Sequence, residues 1–148
     1  MLVFVYGTLT DPERVATVLE IDPPDAAAAF AGRATLEGLH RVDGRYPTLA
    51  PGGSVDGRLL AVDDAGLERL DRYEGVESGL YVRVAVPVVS RSDDRRGESS
   101  RTADDRCWVY VGEPDRLGVD ATWPGTEPFR DRVDGVVSRT DIAVRRLE

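Results

Sequence analysis

Apolar positions fall into short runs with two periods along the 148 residues. Residues 2–6, Leu-Val-Phe-Val-Tyr, are apolar throughout, rich in β-formers and ended by Gly7-Thr8, which predicts a buried strand. Thr10-Asp11-Pro12-Glu13 reads as a helix start, a capping residue before a proline in the first turn. Val15, Val18 and Leu19 then fall at i, i+3 and i+4 and give that helix one apolar face. Asp22-Pro23-Pro24-Asp25 reads as its stop. Two strands are expected at 29–33 and 35–42, with Asp43-Gly44 as a turn signal. An irregular segment is expected from Tyr46-Pro47 to Gly52-Gly53, and another strand at 55–62. Asp63-Asp64 supplies the cap of a short helix over 65–73, which stops at Gly75, where a glycine just past a helix end is expected. Residues 80–89 alternate, Tyr81, Arg83 and Ala85 against Val82, Val84 and Val86, as a strand does. Residues 107–111 predict one more strand, Trp123-Pro124-Gly125 a loop, and 129–134 a short helix.

That order, with two well-marked helices and one short one near the end, is too poor in helix for a doubly wound parallel sheet. It predicts an α+β fold, a curved or closed sheet with two flanking helices, in a single domain over 1–148 without internal repeats. Residues 90–106 carry almost no apolar side chain and cannot offset their ordering entropy, so a polar, solvated connection is expected there rather than an active-site lid.

Composition narrows the chemistry. Acidic residues number 27 against 19 basic ones, for a net charge of -8, and every basic residue is Arg. The acid excess disfavours nucleic acid, whose phosphates call for clustered cations. With no Lys, Schiff-base and Walker-type phosphate chemistry are excluded. One His (His40) and one Cys (Cys107) can build neither a disulfide nor a structural zinc site. No apolar run reaches the ~20 residues of a membrane span, and the N-terminus lacks the basic region of a signal peptide. A soluble cytoplasmic domain is expected. Acid excess together with the full replacement of Lys by Arg points further to a halophilic setting, where screening relieves the self-repulsion of an acidic surface.

Two features carry candidate chemistry. The turn Tyr6-Gly7-Thr8-Leu9 joins a strand to a helix, and the orphan N–H groups of such a turn can hold a carboxylate or phosphate. A glycine kept there for steric reasons alone is the other reading. The second feature is Glu74, which with Leu67 and Leu70 forms an i, i+3, i+7 series and so stands on the apolar stripe of its helix. Desolvation raises the pKa of an inward carboxylate toward neutrality and makes it a general acid/base. The alternative is a frayed last turn, with Glu74 in water or paired with Arg72 or Arg83. His40 reads as a surface or satisfied histidine, and Cys107, Trp123 and Phe129 as core residues.

Taken in order, the motifs resemble those of the gamma-glutamylcyclotransferase-like superfamily. Leu2-Val3-Phe4-Val5-Tyr6-Gly7-Thr8-Leu9 resembles its opening YGTL or YGSL signature. Gly44-Arg45-Tyr46-Pro47-Thr48-Leu49 and Val55-Asp56-Gly57-Arg58-Leu59-Leu60 resemble its tyrosine-proline segment and V-x-G-x-L-Y strand, with Leu60 at a usually aromatic position. Leu70-Asp71-Arg72-Tyr73-Glu74-Gly75 followed by Tyr81-Val82-Arg83 resembles its L-D-x-x-E-G … Y-x-R block. The motifs cover residues 1–111 and leave 113–148 as a C-terminal extension outside the match.

The resemblance implies a small mixed β-barrel with flanking helices. It also implies a cofactor-independent reaction on a small-molecule γ-glutamyl substrate, whose own α-amine closes on its γ-carbonyl to give 5-oxoproline and a free amine or amino acid. By the same resemblance Glu74 carries the proton, Tyr6, Gly7, Thr8 and Leu9 hold the glutamyl α-carboxylate, Tyr46 and Tyr81 line the pocket, and no metal takes part. The motif style is nearer to members acting on γ-glutamylamines than on γ-glutamyl amino acids. A non-catalytic barrel that binds an acidic metabolite or a partner protein stays open, as does removal of a γ-glutamyl protecting group within a biosynthetic route.

Overall fold

Both faces of the first strand are buried, which is why its sequence is apolar without interruption. In β1 (Leu2–Val5), Phe4 points into one core while Val3 and Val5 point into a second. The computed structural model describes residues 1–44, 47–89, 106–139 and 142–146, without the side chain of Thr8. The predicted Tyr46 site and the polar segment 90–105 therefore lie outside the described residues.

A 3-10 turn (Thr8–Thr10) leads into α1 (Pro12–Leu19), with Asp11 accepting from the Glu13 N–H at its N-terminus. The chain ends α1 at Glu20 in a left-handed conformation, φ 60°. Asp22-Pro23-Pro24, expected only to stop α1, instead starts a further helix, α2 (Pro23–Ala29), because a proline that cannot continue a helix is suited to its first position.

Two long strands follow, β2 (Phe30–Val42) and β3 (Thr48–Ala61), paired antiparallel. The two strands expected at 29–33 and 35–42 are one, with register shifts between Phe30 and Arg33 and between Glu37 and Leu39. The segment 48–53, expected to be irregular, is the first part of β3. Thr48, Leu49, Ala50 and Pro51 pair with Val42, Arg41, His40 and Leu39, and the adjoining irregularity accommodates the Pro-Gly-Gly that sequence alone reads as a loop.

Helix α3 (Asp64–Glu74) is capped by Asp63, which accepts from the Gly66 N–H at 2.8 Å, and ends at Gly75. Strands β4 (Tyr81–Val89) and β5 (Arg106–Gly112) pair antiparallel. Beyond them lie α4 (Pro114–Leu117), α5 (Phe129–Arg139) and β6 (Ala143–Arg146). Of these only a shorter form of α5 was expected. Five helices are thus described where two flanking helices and the short 129–134 helix were expected.

The strands close into a barrel in the order β1-β3-β2-β6-β4-β5, with β1–β5 and β4–β6 parallel and the other pairs antiparallel. This is an α+β fold, a mixed barrel with flanking helices. One core joins Phe4, Leu36, Leu49, Leu59, Val86 and Val109 with Trp123, Phe129 and Val133 of the C-terminal region. Trp123 and Phe129 meet edge to face at 6.1 Å, and the Trp123 indole donates to the Leu49 carbonyl at 3.1 Å. The second core packs α1 and α3 against Val3, Val5, Leu60 and Tyr110. Amphipathic α1 and α3 are thereby fixed at the end of β1, where a cavity opens.

Candidate active site

The cavity has a volume of about 440 Å³ and lies among the turn after β1, the last turn of α3, the start of β4 and Tyr110 of β5. Tyr6, Gly7 and Leu9 line it from the turn, Glu74 and Tyr73 from α3, Leu80 from just before β4 and Tyr81 from its start, and Arg14 from α1. Of the sequence-predicted site residues, Tyr6, Gly7, Leu9, Glu74 and Tyr81 therefore come together. Thr8 belongs to the same turn by its backbone.

Local bonding fixes the turn. The Thr10 N–H and hydroxyl both donate to the Gly7 carbonyl, at 3.1 and 2.7 Å. Arg41 donates to the Tyr6 carbonyl at 2.9 Å and Arg58 to the Thr10 carbonyl at 3.1 Å. Carbonyls of the turn are thus held by protein groups, while the first N–H groups of any helical turn have no acceptor within it. A Cβ on Gly7 would sit 3.0 Å from Pro47 Cγ, so the steric reading of this glycine holds and the turn still borders the cavity.

Helix α3 brings Glu74 to the same space. Leu67 and Leu70 are buried in the second core, and Glu74, at the end of the same stripe, is half-buried in the cavity wall. Burial pushes the Glu74 carboxyl up from 4.5 to about 7. Near neutral pH such a group takes and returns a proton with little bias either way. Among the described residues no ion pair falls on it. Arg83 pairs instead with Asp71, at 2.8 Å, and lies 4.4 Å from the Trp108 ring centre. The alternative in which Arg83 neutralises Glu74 is thereby removed.

Asp71 and Tyr110 connect the parts. The Tyr110 hydroxyl donates to Asp71 Oδ1 at 2.6 Å, one helical turn before Glu74, and the Tyr110 carbonyl accepts from the Tyr6 hydroxyl at 2.6 Å. One residue of β5 therefore ties both the helix that bears Glu74 and the strand end that bears the turn. Burial, followed by the hydrogen bond to Asp71, raises the Tyr110 phenol well above its ordinary range, and burial foremost does the same for Tyr6. Both stay protonated and act as hydrogen-bond donors. Tyr81 donates to the Pro47 carbonyl at 2.7 Å, which holds its ring in the wall.

Sequence reasoning missed Asp71, Tyr110 and Arg14 as site residues. Asp71 carried a signal, an acid at i, i+3 with Glu74, whereas the approach of Tyr110 is tertiary. Arg14 had a weak one, a cation in the first turn of a helix. His40 is exposed, with Nδ1 2.9 Å from the Gly52 carbonyl, and takes no part. Cys107 is buried, its thiol pushed up to about 12 by desolvation, and is a core residue. Among the described residues no cluster of potential metal ligands occurs, and no helix is long and apolar enough to cross a membrane.

A closed mixed barrel with a half-buried carboxylate beside a strand-to-helix turn defines a structural class, and comparison with known proteins supplies its family. The gamma-glutamyl cyclotransferase, AIG2-like family matches residues 3–139, and the chain belongs to it. The match runs past 111, where the motif resemblance stops. AIG2-like protein A of Arabidopsis thaliana is 34% identical over 120 residues, covering 78% of this chain and 66% of the relative. The human protein named gamma-glutamylaminecyclotransferase is 34% identical over 119 residues, covering 74% and 76%. The chain spans about half to two thirds of the length of the plant relatives it matches. Among solved structures, a gamma-glutamyl cyclotransferase superposes with a TM-score of 0.56 at 17% identity, covering 92% of this chain and 97% of that one, a likeness of fold. An AIG2-like protein of Mus musculus gives 0.52 at 26% identity, covering 88% and 91%.

Proposed function

We propose that the protein is a cofactor-independent cyclotransferase that converts a γ-glutamyl amide into 5-oxoproline and a free amine or amino acid. The observation that carries this reading is the half-buried Glu74, its pKa raised to about 7, in the same cavity as the Tyr6–Leu9 turn.

In this reading the backbone N–H groups of the turn bind the glutamyl α-carboxylate and aim the α-ammonium at Glu74. The Glu74 carboxylate takes a proton from the ammonium, and the freed lone pair attacks the γ-carbonyl carbon. A carbon–nitrogen bond closes the five-membered lactam as the original amide bond breaks. The ammonium loses two protons on becoming the lactam N–H. Glu74 carries them in turn to the leaving nitrogen, which departs as an ammonium and leaves the carboxylate regenerated. Nucleophile and electrophile belong to one molecule, so proximity supplies much of the acceleration, up to ~7–11 kcal/mol. The Tyr6 and Tyr81 rings wall the site, with both hydroxyls engaged by protein carbonyls.

The acid excess and the all-arginine basic set support a cytoplasm of high salt as the working environment, so the assay belongs in ~1 M KCl, where the Debye length is about 3 Å. Incubation with a panel of γ-glutamyl amines and γ-glutamyl dipeptides is expected to release 5-oxoproline from at least one of them. Binding of these compounds with no 5-oxoproline from any would establish the non-catalytic barrel instead.

A further inference from the structure

Arg14 is the charged side chain of the cavity lining that the reaction does not use. It stands in the first turn of α1, two residues past Pro12, and its exposed side chain borders the cavity that contains Glu74. A cation in the first helical turn opposes the helix dipole, so the position is not explained by helix stability. Among the described residues the ion pairs fall on Arg41, Arg69, Arg83 and Arg145, and none on Arg14. Nor is its charge spent on Glu74, whose raised pKa has burial as its cause. Arg14 is the one basic side chain among the described residues lining the cavity.

A γ-glutamyl substrate has a constant end and a variable end. The constant end is accounted for, with its carboxylate on the turn and its ammonium at Glu74. The variable end extends from the scissile amide toward solvent. Arg14 and Tyr73, the exposed members of the cavity lining, are where it can emerge. We propose that Arg14 is a specificity-determining residue that reads the charge of the leaving group, pairing with a carboxylate on the departing amine and disfavouring a cationic tail. The guanidinium fork offers two parallel N–H donors to a carboxylate. Salt weakens a direct pair of this kind less than it weakens attraction beyond the Debye length. The inference rests on the cyclotransferase reading.

The test compares three γ-glutamyl amides whose leaving amines are β-alanine, propylamine and 1,2-diaminoethane, which differ only in a terminal carboxylate, methyl or ammonium. With the wild-type protein, kcat/KM for 5-oxoproline release is expected to fall in that order, by about 2–5-fold from first to second. Arg14→Gln is expected to bring the carboxylate-to-methyl ratio close to one, and Arg14→Glu to reverse the order of the charged pair. Equal losses on all three substrates would overturn the proposal and move Arg14 to the constant carboxylate. Ratios untouched by either substitution would overturn it too. Absence of 5-oxoproline from all three and from the wider panel with the wild-type protein is a different failure, that of the cyclotransferase reading, and removes both. Activity on the panel with none on these three overturns the Arg14 proposal alone.

Discussion

Glu74→Gln is expected to lower 5-oxoproline release at least ~100-fold while leaving the barrel folded. The amide keeps the shape and burial of the side chain and removes only its capacity to exchange a proton. The α-ammonium of a bound substrate then has no carboxylate to accept its proton among the described residues of the cavity wall, where the other ionisable side chains are tyrosines, Tyr6 and Tyr110 among them raised by burial, and the guanidinium of Arg14. Proximity of amine and carbonyl is untouched, so a residual rate above that in solution is expected.

The same variant separates lost chemistry from lost structure. In the wild-type protein the folded state holds the Glu74 proton up to about pH 7, whereas the unfolded chain releases it near the ordinary glutamate value of 4.5. The folded state binds more protons over that interval, so stability falls as pH rises through it and stays reduced above it. A glutamine has no such loss. Glu74→Gln should therefore match the wild type in acid and exceed it at alkaline pH, by at most about 3 kcal/mol, in denaturation curves recorded across the interval. A variant both inactive and less stable at alkaline pH would show that Glu74 is structural.

Gly57→Ala is expected to cost about 1–3 kcal/mol through overpacking, toward the upper end because part of the clash is with backbone. Gly57 lies in β3 opposite Ala34 of β2 and beside Arg58, the partner of Val5. A Cβ there would run into the Val5 carbonyl oxygen and stand 2.7 Å from Phe4 Cζ. The Phe4 ring is fully buried in the first core, and the carbonyl belongs to the neighbouring strand, so neither can turn aside. Relief requires β1 to move away from β3, which shifts the turn that begins at Tyr6. Thermal melting should therefore show a Tm lowered by at least about 5 °C, with a weakened KM as the functional echo. An alanine variant as stable as the wild type would contradict the close approach of these strands.

Capping and patterning made α1 and α3 legible from sequence, because Asp11-Pro12 and Asp63-Asp64 act on their own backbones and Gly75 ends its helix locally. The buried strand and the inward position of Glu74 were legible for the same reason, since each depends on a period within one element. What sequence did not disclose depends on partners far along the chain. Strand β6 contains two arginines in four residues and only Val144 fully buried, and it becomes a strand because β2 and β4 flank it. Thr48 to Gly53 reads as a loop by composition, yet Thr48 to Pro51 pair because β2 continues to Val42. The Tyr110–Asp71 and Tyr6–Tyr110 bonds span 39 and 104 residues, and nothing local marks them. Asp22-Pro23-Pro24 failed differently, since proline both ends one helix and opens the next.

The most direct test of Glu74 as the proton carrier is the pH dependence of kcat/KM for 5-oxoproline release, measured on the best substrate of the panel. Glu74 must be ionised to accept the ammonium proton. The rate is therefore predicted to rise about tenfold per pH unit below its pKa and to level off above about pH 7. A rate that stays flat from about pH 5 to 8, or that bends near the ordinary carboxylate value of about 4.3, would contradict it.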